Sequence, residues 1–173
     1  MDKPEKIGYG QLELNQVAFP RTGRIEAQCA LGSDFSEEVP AENGMILAID
    51  KVNRTVGFPK GTDNEILALN YTSEHMYDDR DLGQLRKFKL VPGTFYPRLG
   101  FLSVGDRFTT NTVKLNTAWE SLDPKTGVYM IPGSEGYWEE SSSVTGAKVV
   151  AQVVKKTTMP DGQKAVKLLI VKA

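Results

Sequence analysis

A chain of 173 residues, 40% hydrophobic and 25% charged, has the size and balance of one globular domain or two small ones. Its net charge of −1, from 21 basic and 22 acidic residues, supplies no long-range field toward nucleic acid or an anionic membrane, so neither is expected as a partner. The only cysteine, Cys29, excludes an internal disulfide and a cysteine zinc cluster. The first residues, MDKPEKIGYGQ, mix charges with glycine where a signal peptide needs an apolar run, and no segment approaches the roughly 20 apolar residues of a membrane span. Folding in the cytoplasm of whatever cell makes it is the expectation.

In chain order, residues 1–24 read as an N-terminal arm. Pro4, Gly8, Gly10, Pro20 and Gly23 are too closely spaced for long regular structure. Leu12 and Leu14 alternate with polar neighbours over one short strand, and Val17-Ala18-Phe19 is an apolar anchor ahead of Arg21 and Arg24. Two readings stand for the arm: a tail packed on its own domain, or a segment that docks on a neighbouring subunit. From Ile25 the pattern becomes that of strands. Ile25, Ala27, Cys29 and Leu31 fall on one face of a predicted strand, where Cys29 acts as a small hydrophobe rather than a reactive thiol. A loop over 32–44 leads to a strand at Met45–Ile49. Asp50-Lys51-Val52-Asn53-Arg54 then turns the chain into Thr55–Phe58, a predicted hairpin. Ile66–Tyr71 is one more strand by composition.

Residues 74–85, EHMYDDRDLGQL, hold the densest polar cluster in the chain. His75, Asp78, Asp79 and Asp81 can be drawn as a metal site, but their spacing matches no paired-histidine helix and no calcium loop. A solvated segment that carries its own counter-charge, Arg80, is the preferred reading, and no metal or other cofactor is expected. His75 is the only histidine and no Gly-x-Ser-x-Gly elbow accompanies it, so nothing supports a nucleophilic enzyme. The chain is read as a non-enzyme.

The stretch Phe88–Leu115, FKLVPGTFYPRLGFLSVGDRFTTNTVKL, organises the rest. Pro92-Gly93, Tyr96-Pro97, Gly100 and Gly105-Asp106 cut it into pieces too short for helices, and its density of Phe, Tyr, Leu and Val predicts core, or core plus an interface. Beyond it, Asp123–Gly127 and Pro132–Gly136 are turns around a short strand at Val128–Ile131. Trp119, Tyr137 and Trp138 are either core or a stacking platform. The β-branched runs Lys148–Val154 and Ala165–Val171 flank Pro160-Asp161-Gly162 and predict a closing C-terminal β-hairpin. Its lysines, Lys155, Lys156, Lys164, Lys167 and Lys172, are read as protection of an exposed sheet edge.

About ten short strands with turns every several residues describe an all-β fold, a turn-rich sandwich or barrel. The expected organisation is the arm, 1–24, and one compact β domain, 25–173, with a subdivision near 115–125 left open. The succession ENGMILAIDKVNRTVGFP, ILALNYTSEHMYDD and FYPRLGFLSVGDRFTTN, closed by the hairpin around MPDGQKAVKLLIV, resembles the small capsid decoration (cement) or minor head proteins of tailed bacteriophages. The resemblance covers residues 43–111 best and the final hairpin more loosely. It implies a virion protein without enzyme activity, located on the outer capsid surface, which binds the major capsid protein and locks neighbouring capsomers together.

It carries no shared binding motif, so contact residues are read from the residue types alone. The arm supplies Leu12, Leu14, Val17, Phe19, Arg21 and Arg24. The aromatic centre supplies Tyr96, Arg98 and Arg107, types enriched where interfaces are strong. A homo-oligomer is compatible with the same residues. Two other classes share the β fold: a phage tail-tube or baseplate subunit, and a carbohydrate-binding module that stacks sugars on Trp119, Tyr137 and Trp138.

Overall fold

The computed structural model describes residues 10–73 and 88–173. It is nearly all-β, with 39% strand and 7% helix in two curled sheets, one a half-barrel. Among the described residues no helix is long and apolar enough to cross a membrane.

Among the described residues thirteen strands carry the fold: β1 (Leu12–Gln16), β2 (Ile25–Glu26), β3 (Ala30–Leu31), β4 (Ile46–Asp50), β5 (Thr55–Gly57), β6 (Ile66–Asn70), β7 (Leu99–Gly100), β8 (Arg107–Thr110), β9 (Val113–Lys114), β10 (Tyr129–Pro132), β11 (Trp138–Ser141), β12 (Val150–Thr158) and β13 (Lys164–Lys172). The larger sheet runs β1-β8-β13-β12-β10-β11-β9, and the smaller runs β2-β7-β6-β4-β5-β3. All neighbours are antiparallel except β9 with β11 and β3 with β5.

Side chains leave a strand to alternate faces, so directly opposed residues of neighbouring strands share a face. In the smaller sheet Ile46 opposes Leu69, and both join the core between the sheets. Leu47 opposes Ala68, and both join a second core on the other side. The second core also takes Leu31, Val56 and Leu99 from β3, β5 and β7, closed over by Phe35, Phe88, Leu90 and Tyr137. The curl of this sheet follows from chain reach. β2 and β3 lie at opposite edges, yet four residue steps, about 14 Å of chain, separate Glu26 from Ala30. Five strand spacings laid flat need about 24 Å, so the edges must come round toward each other. The predicted single strand Ile25–Leu31 is for this reason two short ones, with Cys29 buried where the chain crosses.

The β4–β5 hairpin forms as its turn residues require. Asp50 Oδ1 accepts the N–H groups of Val52 and Asn53, and Asn53 Nδ2 donates to Asp50 Oδ2. The central stretch feeds both sheets: Phe88, Leu90 and Leu99 enter the second core, and Leu102, Phe108, Val113 and Leu115 enter the first. The C-terminal hairpin also forms, but not at an edge. β13 lies between β8 and β12, and β12 pairs with β10 on its other side. Edge protection is therefore excluded for Lys167, which is paired on both sides, but not for Lys155 and Lys156, which lie beyond the Ala151–Gln152 stretch that β10 covers. The strands before and after residues 115–125 share the larger sheet.

Residues 10–24 are built into the body. β1 pairs with β8, Leu14 opposite Phe108 and Gln16 opposite Arg107. A single helical turn, Phe19–Thr22, then buries Phe19 completely, its ring packed at Gly100 and 4.9 Å from the ring of Tyr71. The carboxylate of Asp106 fastens this corner, accepting from Ala18 N at 2.8 Å and from Ser103 N at 2.8 Å.

Candidate interaction surface

Three surfaces gather polar chemistry. The first is a groove of about 590 Å³ lined by Asp34, Asp50, Thr55, Phe58, Lys60 and Glu65 among others. Its carboxylates are engaged locally: Asp34 accepts from Phe58 N, Asp50 caps the β4–β5 turn, and Glu65 accepts from Lys60 N and Gly61 N. They shape the groove's rim.

The second is a charge cluster around buried Lys114 at the β9 edge. Lys114 Nζ lies 2.8 Å from Glu135 Oε2, 3.6 Å from Glu139 Oε1 and 5.3 Å from the ring centre of Tyr137. Burial pushes the Tyr137 phenol far above its ordinary range, and the neighbouring Glu42 carboxylate adds to the rise. A phenol held protonated in this way is a poor base. The cluster joins β9, β11 and the 42–44 turn.

The third surface is the outer face of the larger sheet. Gln16, Arg107, Leu169, Gln152, Tyr129 and Ser141 stand in one cross-strand row over six strands. A parallel row holds Glu13, Thr109, Lys167 and Lys155. Arg107, Lys155 and Tyr129 are exposed, and Leu169 and Lys167 are half-buried. Basic, apolar and neutral polar side chains, with Glu13 at the β1 end, thus share one broad, hydrogen-bonded platform.

No known protein family, curated protein or solved structure matches the chain. Its surface chemistry therefore rests on its own geometry.

The residues singled out from the sequence do not form one patch. Phe19 is wholly inside, while Leu12 and Val17 are partly buried against the first core. Leu14 remains 39% exposed on β1. Leu14 and Arg107 sit on adjacent strands. Arg24 lies with Phe101, its guanidinium 6.0 Å from that ring centre and its Nη1 3.4 Å from Ser103 Oγ. Arg98 stacks 5.6 Å from the centre of the Tyr71 ring, and Arg21 and Tyr96 are exposed. The histidine and aspartates of 75–81 lie outside the described residues.

The aromatic platform of the carbohydrate reading does not assemble. Trp138 is fully buried with Nε1 donating to Gly44 O at 3.0 Å, and Tyr137 is buried in the second core. Trp119 is half-buried between two ammonium groups, Lys156 Nζ at 5.8 Å and Lys164 Nζ at 5.7 Å from its ring centre. What the sequence reading missed is the outer-face row. The usable signal was the alternation of Lys167, Leu169 and Val171 with Val166, Leu168 and Ile170 along β13.

Proposed function

We propose that this chain is a structural protein of a tailed-phage particle that binds the outside of the assembled capsid and bridges major capsid protein subunits. The observation that carries the reading is β1. It opens the strand order of the larger sheet, so one of its backbone edges has no partner strand among the described residues, and Leu14 stands exposed beside it. An open edge of this kind accepts an added strand, main-chain hydrogen bonds supplying affinity and alternate side chains specificity. The resemblance of residues 43–111 to decoration proteins supports the same role, as does a rigid two-sheet body that holds its edges in fixed positions.

The test is co-sedimentation of the purified chain with empty shells assembled from the major capsid protein encoded beside it. Saturable binding is expected, and Leu14→Lys weakens it at least tenfold, about 1.4 kcal/mol, at a temperature well below the melting points of both chains. Absence of the full-length chain from the shell pellet overturns the reading.

A further inference from the structure

The outer face of the larger sheet carries Arg107, Lys155 and Lys167, with Glu13 as an acidic neighbour in the Lys167 row. Lys155 of β12 stands directly opposite Lys167 of β13, and like charges so placed destabilise a sheet. Lys167 in turn opposes Thr109, with Arg107 two residues along β8 on the same face. The described ion pairs engage Lys89, Lys114 and Lys164, and among the described residues no carboxylate pairs with Arg107, Lys155 or Lys167. Lys167 is paired on both sides, so it guards no edge, while Lys155 lies beyond the Ala151–Gln152 stretch that β10 covers. Leu169 lies between the cations, and Tyr129, 36% exposed, and Val171, 38% exposed, continue the apolar share of the surface.

We propose that this face docks an acidic protein surface, whose carboxylates pair with Arg107, Lys155 and Lys167 while its apolar groups meet Leu169 and Tyr129. Charge complementarity names the occupant, and the interleaved apolar side chains favour a protein over the evenly charged backbone of a nucleic acid. Assignment of that surface to the major capsid protein rests on the function proposed above. The proposal supplies what a bridging protein needs, a second contact surface beside the β1 edge.

The experiment uses the full-length chain at low salt and poly-L-glutamate as the probe, followed by amide and side-chain NMR shifts. Shifts should centre on Arg107, Lys155, Lys167 and Leu169, and added salt should weaken binding. Lys155→Glu should lower affinity at least tenfold and yet raise the melting temperature by about 1–3 °C, because a repelling cross-strand pair becomes an attracting one. Lys155→Arg should retain binding. The proposal is overturned by shifts centred on Arg24 and Arg98, by unchanged binding of Lys155→Glu, or by duplex DNA binding more tightly than poly-L-glutamate. The capsid shells provide a separate arm. If Lys155→Glu binds shells as tightly as the unaltered chain, the face is not the contact and the capsid function stands. If the unaltered chain binds poly-L-glutamate at this face but not the shells, the capsid function falls and the face stands.

Discussion

Gly44 ties the two sheets together through its backbone. Its N–H donates to Asn70 O on β6 at 2.9 Å, and its carbonyl accepts from Trp138 Nε1 on β11 at 3.0 Å. Its φ of +87° favours glycine, and a Cβ there would collide with Thr110 Oγ1. Gly44→Ala should therefore cost about 3 kcal/mol or more, read by urea denaturation; a loss below 1 kcal/mol would mean that this junction yields readily. Glu140 is a second residue whose effect can be signed. Partial burial pushes its carboxyl up, but bonds from Thr117 Oγ1, Thr117 N and Asn116 N outweigh that and hold its pKa below the ordinary value. A lowered folded pKa gives stability that is complete above the unfolded value, about 4.3, and lost as the pH falls through the folded one. Thermal melts over that acid window should thus fall more steeply for the unaltered chain than for Glu140→Gln. Little at this scale was legible in the sequence: Gly44 looked like part of a loop, and that Trp138 is core depended on a carbonyl 94 residues away.

Elements were more legible where local pattern decides them. The β4–β5 hairpin and the C-terminal hairpin lie close to where turn chemistry and β-branched runs placed them, because both depend on near neighbours. The position of the hairpin in its sheet was not legible, since only pairing with β8 and β10 sets it. Residues 10–24 teach the same lesson. Their glycines and prolines suit an arm, yet Phe19 completes the core and β1 completes the sheet. Phe19→Ala should cost about 3–5 kcal/mol. Deletion of residues 1–18 removes β1 and the Ala18–Asp106 bond, and should abolish a cooperative melt. A truncated chain that melts as sharply and as hot as the full one would show that β1 contributes nothing to the body.

At the scale of the molecule, polar groups as well as apolar ones join the sheets. Thr112 Oγ1 donates to Asn43 O, Asn43 Nδ2 to Thr72 O and Asn70 Nδ2 to Glu42 O, all buried. Such a network loses its partners together when either sheet opens, leaving buried groups unsatisfied. Unfolding should accordingly be a single transition. Far-ultraviolet circular dichroism and tryptophan fluorescence, which reports the fully buried Trp138, should give coincident urea curves; two separated midpoints would show sheets that unfold independently. The all-β class was readable from turn density and strand composition. The number of sheets and their strand order were not, because pairings over long stretches of chain leave no periodic trace in the residues.

β8 is flanked by β1 on one side and β13 on the other, and Gln11 Nε2 reaches Asp161 Oδ2 across 150 positions of sequence. The chain's beginning must therefore wait for its end. Until β13 has been made, the larger sheet lacks its middle, and the apolar face of Phe108 lacks its cross-strand neighbour Leu168. Completion of the body requires β13 and is slow, as for other folds built from distant pairings. Chains terminated before β13 would then lack a closed core and should not accumulate in folded form.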